Sequence, residues 1–552
     1  VLQWDKEDCA WMGLVKFDLL GLGMLSALSI SFDLISQHCG RFWTLASIPR
    51  NEPGVYDMLC RGDSIGVFQV ESRAQIGALP RLKPRCFYDL AVEIGLIRPG
   101  PVQGGAVHPY IRRRTGVEPV TYPHPLLEPV LERTLGIPLF QEQLMQMATT
   151  VGNCTAADAD LLRRAMGSKR GVERIDSLRT KLFEGMAANG IDDDTAQGIY
   201  ARIESFANFG FAESHALSFA GLVYTSAWIK LHYPAVFLAA LLRSQPMGFY
   251  SSATLVADAR RHGVVTRRPD VARSSVGADL ELLDACCEEL GSEELETGID
   301  ECLHDHDESE IGAFDPNRDD GDHRRDTHFA VRLGLSDVSG INIETATRIV
   351  EERERESFAS LDDLARRVDL SGEEVEALAL AGAFDDLVGS RRGALWQIGQ
   401  INGVAPGQLD VQVVTQPPLL PEPTQMELLG DDLRATGIST ADHPVRQVRD
   451  ALNRRGVVQV DRLDGVETRR RIEVAGVVTH RQRPGTAGGV TFLNLEDETG
   501  LLNVIVTPGA WRHYRRVART SRALVVRGIL ERGDEGVMSL QADRLEALDL
   551  SV

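Results

Sequence analysis

The sequence predicts a multidomain protein that is mainly α-helical and ends in a β-barrel. Three observations support this prediction. Residues 25–279 carry apolar residues at helical spacing, in amphipathic stretches that stop at glycine or proline. Residues 470–552 carry short apolar runs that alternate with polar residues, as strands do. A highly charged segment at 280–328 and a proline-rich segment at 403–424 lie between these two patterns.

Residues 1–24 are expected to contribute a strand that carries a metal-binding carboxylate. The apolar run from Leu14 to Leu22 contains Lys16 and Asp18 on alternate positions. A period of two places both side chains on the same face of a strand. A carboxylate at a strand end can hold Mg²⁺, which prefers oxygen ligands. The alternative is that Asp18 only caps the helix that follows.

A group of cations surrounds the predicted end of a helix at Gly167. The segment reads L-R-R-A-M-G-S-K-R from Leu162 to Arg170 and includes Arg163, Arg164 and Lys169. These side chains can neutralise a phosphate group. The alternative is a solvated basic face, which is what most runs of charge are.

The stretch from Asn208 to Pro234 is the most informative part of the sequence. A glycine-broken turn leads to Ser214 and His215, and then to a long apolar helix. A serine at such a junction can cap the helix, and a helix start suits an anion such as phosphate. The alternative is a capped core helix with an incidental histidine. With the carboxylate and the arginine pair, this helix start completes the set of groups that phosphoryl transfer needs.

Six motifs, in this order, resemble the bacterial C-family DNA polymerases, the family of the DNA polymerase III alpha subunit. They are L-V-K-F-D-L-L-G-L (14–22), G-V-F-Q-V-E-S-R (66–73), R-P-G-P (98–101), F-Q-E-Q-L-M-Q-M-A (140–148), L-R-R-A-M-G (162–167) and G-F-A-E-S-H-A (210–216). Six ordered matches are far more specific than one short motif. Segments 69–75, 81–85 and 244–250, and also Glu213, are similar to the error-prone branch of this family.

The resemblance implies templated addition of a deoxynucleotide to a primer 3′-OH, as error-prone or translesion synthesis in the response to DNA damage. Two Mg²⁺ ions would activate the hydroxyl and stabilise the leaving pyrophosphate, with Asp18 as one of three metal-binding aspartates. The residues implied to contact the triphosphate or the adjacent backbone are Lys16, Arg98, Arg163, Arg164, Lys169, Ser214 and His215. The implied partners are primer–template DNA, deoxynucleoside triphosphates and a Y-family-like accessory protein.

By the same resemblance, residues 1–24 are the last piece of a polymerase palm, and residues 25–279 are the helical fingers that hold the incoming nucleotide. The family's other two catalytic aspartates lie in an upstream P-D-x-D-like motif, which this sequence lacks. We therefore expect a C-terminal fragment of a larger polymerase, inactive in primer extension by itself. The alternatives are a replicative alpha subunit and a non-catalytic DNA-binding protein.

Residues 280–328 are predicted to form an acidic, disordered insertion. From Glu281 to Asp326 there are 18 acidic residues and three arginines, while the whole chain has a net charge of −21. Runs of like charge with few aromatic residues tend to be disordered. The cysteines and histidines of this segment have no regular zinc-ligand spacing. Because the negative charge is concentrated here, the remaining chain can still form basic DNA-binding surfaces, including Arg512 to Arg522.

Residues 329–402 resemble tandem helix-hairpin-helix units. The two hairpins are S-G-I-N-I-E-T-A-T-R-I-V from Ser339 and A-L-A-G-A-F-D-D-L from Ala379. Such hairpins can bind a phosphate through backbone N–H groups at a helix start, without reading bases. The alternative is a helical packing module, because nearby glutamates make the surface mixed in charge.

Residues 403–469 are predicted to be a proline-rich linker followed by connecting helices. Directly after the prolines, Gln425, Met426, Leu428 and Leu429 resemble the short peptides that dock into the sliding clamp. A glutamine and two apolar anchors on a tether suit a groove. The alternative is that these residues only start a helix.

Residues 470–552 are predicted to form an OB-fold that binds nucleic acid. About five short strands, an intervening helix and a hairpin signal at Gly533–Gly536 support this prediction. OB-folds bind single strands by stacking and by cationic grooves. The candidates for stacking are Phe492, Trp511 and Tyr514, with Arg481 and Arg483 as the nearby cations.

The composition indicates a cytoplasmic protein with no membrane partner. The sequence contains no apolar run that could span a bilayer and no secretory signal. Its eight cysteines lack C-x-x-C spacing, which favours a reduced, intracellular protein.

Overall fold

A computed structural model describes most of the chain, and it has a helical body followed by a closed β-barrel. The predicted fold class is therefore confirmed. The described residues are 4, 6–14, 21–98, 106–166, 171–205, 211–247, 250–283, 303–315, 320–401, 420–484, 487–533 and 538–550. The strand predicted around Lys16 and Asp18, and also Lys169, lie outside these residues.

Helices make up most of the body before residue 262. They are α1 Lys6–Trp11, α2 Leu22–Cys39, α3 Pro53–Cys60, α4 Arg73–Ile76, α5 Leu79–Leu82, α6 Phe87–Leu96, α7 Val107–Arg114, α8 Glu128–Leu131, α9 Gln141–Gly152, α10 Ala156–Ala165, α11 Gly171–Asp176, α12 Arg179–Ala188, α13 Asp193–Ser205, α14 Glu213–His232, α15 Pro234–Arg243 and α16 Ser252–Arg261.

The main core of this body surrounds α14 and α15. All residues of α14 from Val223 onward are buried, and so are all residues of α15 except the last, as expected for helices inside a core. The long helix α14 packs on α3 and α6, and α15 packs on α2 and α16. Pro234 begins α15 at its first turn, where its missing N–H costs nothing and where it separates α15 from α14.

A second, smaller core joins α9 to α13. Its buried side chains include Leu144, Leu162 and Ile199. Helices α9 and α12 approach so closely that a Cβ atom built on Gly185 would lie 2.1 Å from the carbonyl oxygen of Gly152. Only glycine permits this backbone contact. The same small lobe carries the predicted arginine pair on α10.

The structure corrects the prediction of a solvated insertion for residues 320–328. A small sheet of β1 Val265–Arg267, β3 Phe329–Arg332 and β2 Asp279–Leu282, in that order, borders the segment. Just before β3, Asp326 is fully buried and accepts hydrogen bonds from the backbone N–H groups of Ala235 (2.6 Å) and Val236 (3.2 Å).

The physical reason for this correction is helix capping. Asp326 satisfies the free N–H groups at the start of α15, where a negative charge is favourable. Arg324 pairs with the same carboxylate at 2.7 Å. The prediction from net charge was wrong for residues 320–328 because it ignored these long-range partners. Residues 284–302, which hold much of the acidic run, lie outside the described part.

The next body is a set of short helices with its own core. They are α17 Ile343–Arg355, α18 Leu361–Val368, α19 Gly372–Leu380, α20 Asp385–Val388, α21 Arg391–Ile401, α22 Gln425–Ala435, α23 Pro444–Gln447 and α24 Arg449–Arg455. Helix α22 packs on α19. The first hairpin is closed by α22, because the N–H of Ser339 donates to the carbonyl oxygen of Ala435 at 2.7 Å.

The C-terminal strands close into a barrel in the order β4–β5–β6–β8–β7. They are β4 Arg471–Gln482, β5 Thr491–Glu496, β6 Leu501–Val506, β7 Ala523–Arg532 and β8 Met538–Ala547, with α25 Pro508–His513 and α26 Arg515–Thr520 between β6 and β7. The β6–β8 pair is parallel and the other pairs are antiparallel. A five-stranded closed barrel with a helix after its third strand is the arrangement of an OB-fold.

The barrel is docked against the helical body. Glu496 of β5 lies 3.5 Å from Arg261 of α16, and the rings of Tyr250 and His480 meet edge-on with centroids 5.1 Å apart. The guanidinium of Arg73 lies 4.7 Å above the ring of Phe492. These contacts fix which face of the barrel points toward the helices.

None of the helices in the described part of the chain is both long enough and apolar enough to cross a membrane. The free cysteines of the described residues are Cys9, Cys39, Cys60, Cys86 and Cys154.

Candidate nucleotide and nucleic-acid interfaces

Helix α14 begins without the serine cap that the sequence suggested. The helix starts at Glu213, so Ser214 lies inside its first turn. The residue at the capping position is Ala212, whose side chain makes no hydrogen bond to the helix. The N–H of Glu213 instead donates to the carboxylate of Glu142, on α9, at 2.9 Å. Interpreting Ser214 as the cap was therefore wrong, because an acidic side chain from a distant helix takes that role.

His215 lies in a stack of aromatic and cationic side chains at the start of α14. Its ring centroid is 5.5 Å from that of Phe211 and 4.2 Å from that of Phe219. The guanidinium of Arg98 lies 3.5 Å above the ring of Phe211. The structure therefore brings together two of the predicted phosphate-binding residues, because Arg98 and His215 both contact the ring of Phe211. His215 remains exposed to solvent.

Arg98 carries a charge that the described part of the chain does not neutralise. Its Nη1 atom is buried and has no hydrogen-bond partner there. Burial lowers the pKa of Arg98, since removal from water disfavours the charged form. A desolvated guanidinium with an unused donor is suited to an anionic ligand, because it forms strong, charge-assisted hydrogen bonds with phosphate oxygens.

Three residues near this stack were not recognised from the sequence as functional candidates: Glu142, Tyr88 and Arg133. Tyr88 donates a hydrogen bond to Glu213 at 2.7 Å, and Arg133 lies 3.6 Å from the same carboxylate. Arg133 also stacks 3.7 Å above the Tyr88 ring. Burial and the neighbouring Glu213 carboxylate raise the pKa of Tyr88. Only Glu142 carried a sequence signal, since it lies in the matched segment 140–148.

The predicted arginine pair lies in the smaller lobe and has its own carboxylate. Arg163 contacts Asp160 at 2.8 Å, and Arg164 pairs with the other oxygen of the same residue. Within the described residues, neither arginine forms a hydrogen bond or ion pair with Arg98 or His215. These cations lower the pKa of the half-buried Asp160 through hydrogen bonds.

The predicted magnesium ligand Asp18 lies outside the described residues. Two other groups of possible metal ligands occur within them: Glu52 with His232 and His323, and Asp63 with Asp258 and His262. In the second group, the ammonium of Lys230 contacts Asp63 at 2.7 Å and Asp258 at 2.8 Å and so occupies the position between the carboxylates.

The first group is also a poor match for magnesium. Two of its three donors are imidazoles, whereas Mg²⁺ favours oxygen ligands. Neither group therefore has the character expected of a two-magnesium site.

A cleft of about 630 Å³ separates the barrel from the helical body. One wall carries Arg73 of α4 and Arg81 of α5, and the other carries Phe492, Asn503 and Ile505 of β5 and β6. OB-folds bind oligonucleotides on the face formed by these second and third strands. Burial lowers the pKa of Arg73 to about 10. The binding face of the barrel is thus turned toward a wall of cations.

The other predicted barrel residues lie on the side of α25 and α26. Arg481 donates through Nε to the carbonyl oxygen of Ala518 at 2.9 Å and also bonds to the carbonyl oxygen of Ser521. Burial lowers the pKa of Arg481. Arg483 lies 5.7 Å from the Trp511 ring. Arg481 therefore anchors a helix end, whereas Phe492 lines the cleft.

The proposed clamp-binding residues form the first two turns of α22. Thr424 caps this helix by accepting a hydrogen bond from the N–H of Glu427 at 3.2 Å. Leu429 is only 2% exposed, while Gln425 is exposed. Met426 and Leu428 are half-buried. This arrangement agrees with the alternative that these residues only begin a helix, because Leu429, one of the two apolar anchors of a clamp peptide, is already buried in the protein.

Three family models match the chain. The bacterial DNA polymerase III alpha subunit finger domain matches residues 24–190, a helix-hairpin-helix motif matches 263–394, and an OB-fold nucleic acid binding domain matches 472–548. The finger and barrel matches coincide with the helical body and the closed barrel described above. The helix-hairpin-helix match begins earlier than the sequence suggested.

Curated relatives match the full length of the chain. Error-prone DNA polymerases of Mycolicibacterium paratuberculosis and Mycobacterium tuberculosis are each 51% identical to it over 555 residues, and that of Corynebacterium glutamicum is 48% identical over 551 residues. These alignments cover 100% of this chain but only 46% to 48% of the relatives. The chain spans about half the length of the curated relatives it matches. The resemblance found in the sequence is confirmed.

Proposed function

We propose that this chain serves error-prone, template-directed DNA synthesis. It has the finger, helix-hairpin-helix and OB-fold domains found in bacterial C-family DNA polymerases. It would supply the parts that hold the incoming nucleotide and the DNA, for transfer of a deoxynucleotide to a primer 3′-OH. Support comes from the finger-domain match over 24–190 and from relatives at 51% identity. The observation that carries the proposal is the Arg98–Phe211–His215 stack at the start of α14.

The stack suits the triphosphate of an incoming nucleotide. Arg98 offers an unused, desolvated donor, and the Phe211 ring holds its guanidinium plane in one orientation. His215 adds a donor that faces solvent in the same stack. Donors fixed before the substrate arrives stabilise charge on phosphoryl oxygens without reorganisation. Arg163, Arg164 and Lys169 remain candidates for the same triphosphate or for the DNA backbone.

Magnesium would neutralise the triphosphate and activate the primer hydroxyl, with Asp18 as one proposed ligand. Among this chain's described residues, the contribution to the reaction is binding and charge neutralisation. Glu142 would act indirectly, since its carboxylate holds the first N–H of α14 and so fixes the position of His215.

The cleft between the barrel and the fingers is the proposed path of a single-stranded template. Phe492 would stack with a base, and Arg73 and Arg81 would contact the backbone from the opposite wall. The sliding clamp and a Y-family-like accessory protein remain proposed partners. Helix α22 would have to release Leu429 before it could dock as an extended clamp peptide.

Binding of a deoxynucleoside triphosphate to the chain tests the proposed nucleotide site. The change Arg98→Gln removes the charge, and we expect triphosphate binding to become roughly 10-fold to 100-fold weaker, as for loss of a charge-assisted hydrogen bond. Isothermal titration calorimetry with the triphosphate and the matching monophosphate measures the effect. The preference for the triphosphate should disappear together with the affinity.

The matched control is Arg179→Gln. Arg179 also lies over an aromatic ring, 5.3 Å from the Tyr200 centroid, but in the smaller lobe. This control should bind the triphosphate as the unchanged chain does. Equal affinities for all three proteins, or equal losses in both variants, would contradict the assignment of Arg98.

A further inference from the structure

Five exposed arginines lie on the short helices between β6 and β7 and on the turn that follows them. They are Arg512, Arg515, Arg516, Arg519 and Arg522, and together they are called the arginine surface below. Arg515 and Arg519 are separated by one helical turn on α26, so they project from the same face of the helix.

None of these five side chains has an ion pair or a hydrogen bond with the part of the chain that the structure describes. Other arginines of the same barrel do have carboxylate partners. Arg471 and Arg527 each lie 2.8 Å from Asp543. Arg455 of α24 likewise lies 2.7 Å from Glu473 of β4. The arginine surface therefore differs from these other arginines, whose charges are paired with carboxylates.

The sequence around the arginine surface has an unusual charge balance. Residues 499–530 contain six arginines and no aspartate or glutamate, in a chain with 80 acidic and 59 basic residues. Like charges three and four residues apart on a helix repel each other and weaken it. A solvated face without a ligand would gain from interspersed acids, so this charge balance is the one that suits a polyanionic partner.

The arginine surface is distinct from the cleft. Along the end of β4, Gln482 and Pro484 line the cleft, whereas Arg481 and Arg483 contact the helix side. Arg481 holds the carbonyl oxygen of Ala518, so the end of β4 fixes α26 in place. None of the five arginines lines the cleft.

We propose that the arginine surface is a second nucleic-acid site, which binds the phosphodiester backbone without reading bases. Guanidinium groups match phosphate oxygens in geometry and charge. Arg515 and Arg519 are about 6 Å apart along the helix axis, which is close to the separation of neighbouring phosphates along a nucleic-acid strand. One helix face can therefore contact two neighbouring phosphates of a strand. The site holds DNA beside the barrel, independently of the nucleotide site at α14.

The salt dependence of DNA binding tests this proposal. In the whole chain, Arg515, Arg516 and Arg519 are changed together to glutamine, which keeps the helix propensity. Fluorescence anisotropy measures binding of an oligonucleotide of about 30 nucleotides and of its duplex, between about 50 and about 200 mM salt. We expect the slope of log affinity against log salt to fall by about 2 for the single strand and about 3 for the duplex.

The matched control removes three exposed arginines that have carboxylate partners. These are Arg355, Arg434 and Arg446, whose side chains are 70%, 70% and 55% exposed. This control changes the net charge equally, and its slopes should stay as in the unchanged chain. Equal falls in the control and in the test variant would overturn the proposal, because net charge alone would then explain them.

Further arms separate the remaining outcomes. Phe492→Ala should weaken single-strand binding and leave the duplex slope unchanged, so failure of the cleft and failure of the arginine surface are distinguishable. Unchanged slopes in the triple variant overturn the proposal. The proposal is also overturned if the triple variant no longer binds polyglutamate but still binds DNA normally, because the partner would then be an acidic protein. Should the triple variant melt early, the three single changes are measured, each expected to lower the single-strand slope by about 0.7.

Discussion

Arg98 and Arg133 both stack on aromatic rings near the start of α14, but their charges have different surroundings. Arg133 lies 3.6 Å from the carboxylate of Glu213, whereas Arg98 keeps a buried Nη1 atom without a partner in the described residues. The difference is invisible in the sequence, where both are single arginines near apolar residues. At the residue scale, the presence or absence of a carboxylate partner therefore distinguishes an arginine that stabilises the fold from one that is suited to bind a ligand.

His262 offers a test of the buried charge cluster next to the main core. Its Nε2 atom lies 2.5 Å from Asp63, and Asp258 and Lys230 complete the cluster. The Asp63 carboxylate raises the pKa of His262 to about 9. A raised pKa in the folded state stabilises the protein fully below the ordinary value near 6.5, and this stabilisation is lost as the pH rises through about 9.

We therefore expect the free energy of unfolding to fall by roughly 1–3 kcal/mol between about pH 6.5 and about pH 9.5. Urea unfolding followed by tryptophan fluorescence measures it, because Trp228 lies in the same core. The variant His262→Gln should be less stable at the lower pH and should lose most of this pH dependence. An unchanged pH profile in the variant would show that other groups cause it.

At the scale of elements, α22 shows how a short motif can be misread. Its first residues resemble a clamp peptide, but the helix is capped by Thr424 and packs on α19. The variant Leu429→Ala should lower the free energy of unfolding of the α17–α22 body by about 2–5 kcal/mol, since it leaves a cavity at a buried position. Thermal unfolding measures the loss.

The exposed Gln425 provides the control for this element. Gln425→Ala should leave the melting temperature within about 1 °C, as surface changes usually do. If Leu429→Ala were as stable as the unchanged chain, the packing of α22 would be too weak to oppose release of a clamp peptide. The clamp interaction would then become the simpler explanation of this sequence.

Periodicity predicted the elements well because local sequence largely determines them. The apolar α14, and the alternation from Ile472 to Gly476 in β4, both follow from local spacing. The caps could not be predicted in the same way. Glu142 caps α14 from a distance of 71 residues, and Asp326 caps α15 from a distance of 91. These partners are brought together only by the complete fold, so both Ser214 and the acidic segment were misinterpreted.

At the scale of the whole molecule, the docking of the barrel decides what its binding face can reach. The cleft of about 630 Å³ places Phe492 opposite the arginines of α4 and α5. We expect Phe492→Ala to weaken single-strand binding by roughly 5-fold to 100-fold, the range for loss of one stacked base. Anisotropy with an unpaired oligonucleotide measures the change.

Phe42→Ala is the matched control for the loss of an aromatic ring. Phe42 is 84% exposed and lies on the helical body, away from the residues that line the cleft. It should bind the oligonucleotide normally. If both variants bound alike, the strand would not stack in the cleft, and the barrel face would serve only to hold the two bodies together.

The contact between Gly152 and Gly185 sets the spacing of the smaller lobe. Even one methyl group at Gly185 would act as a wedge, since its carbon would overlap the carbonyl oxygen of Gly152. The wedge would push α9 and α12 apart, and α10, which packs on α9, would be displaced together with Arg163 and Arg164. The positions of those two arginines therefore depend on the lack of a side chain at Gly152 and at Gly185. An alanine at Gly185 would move both arginines although it changes no charged residue.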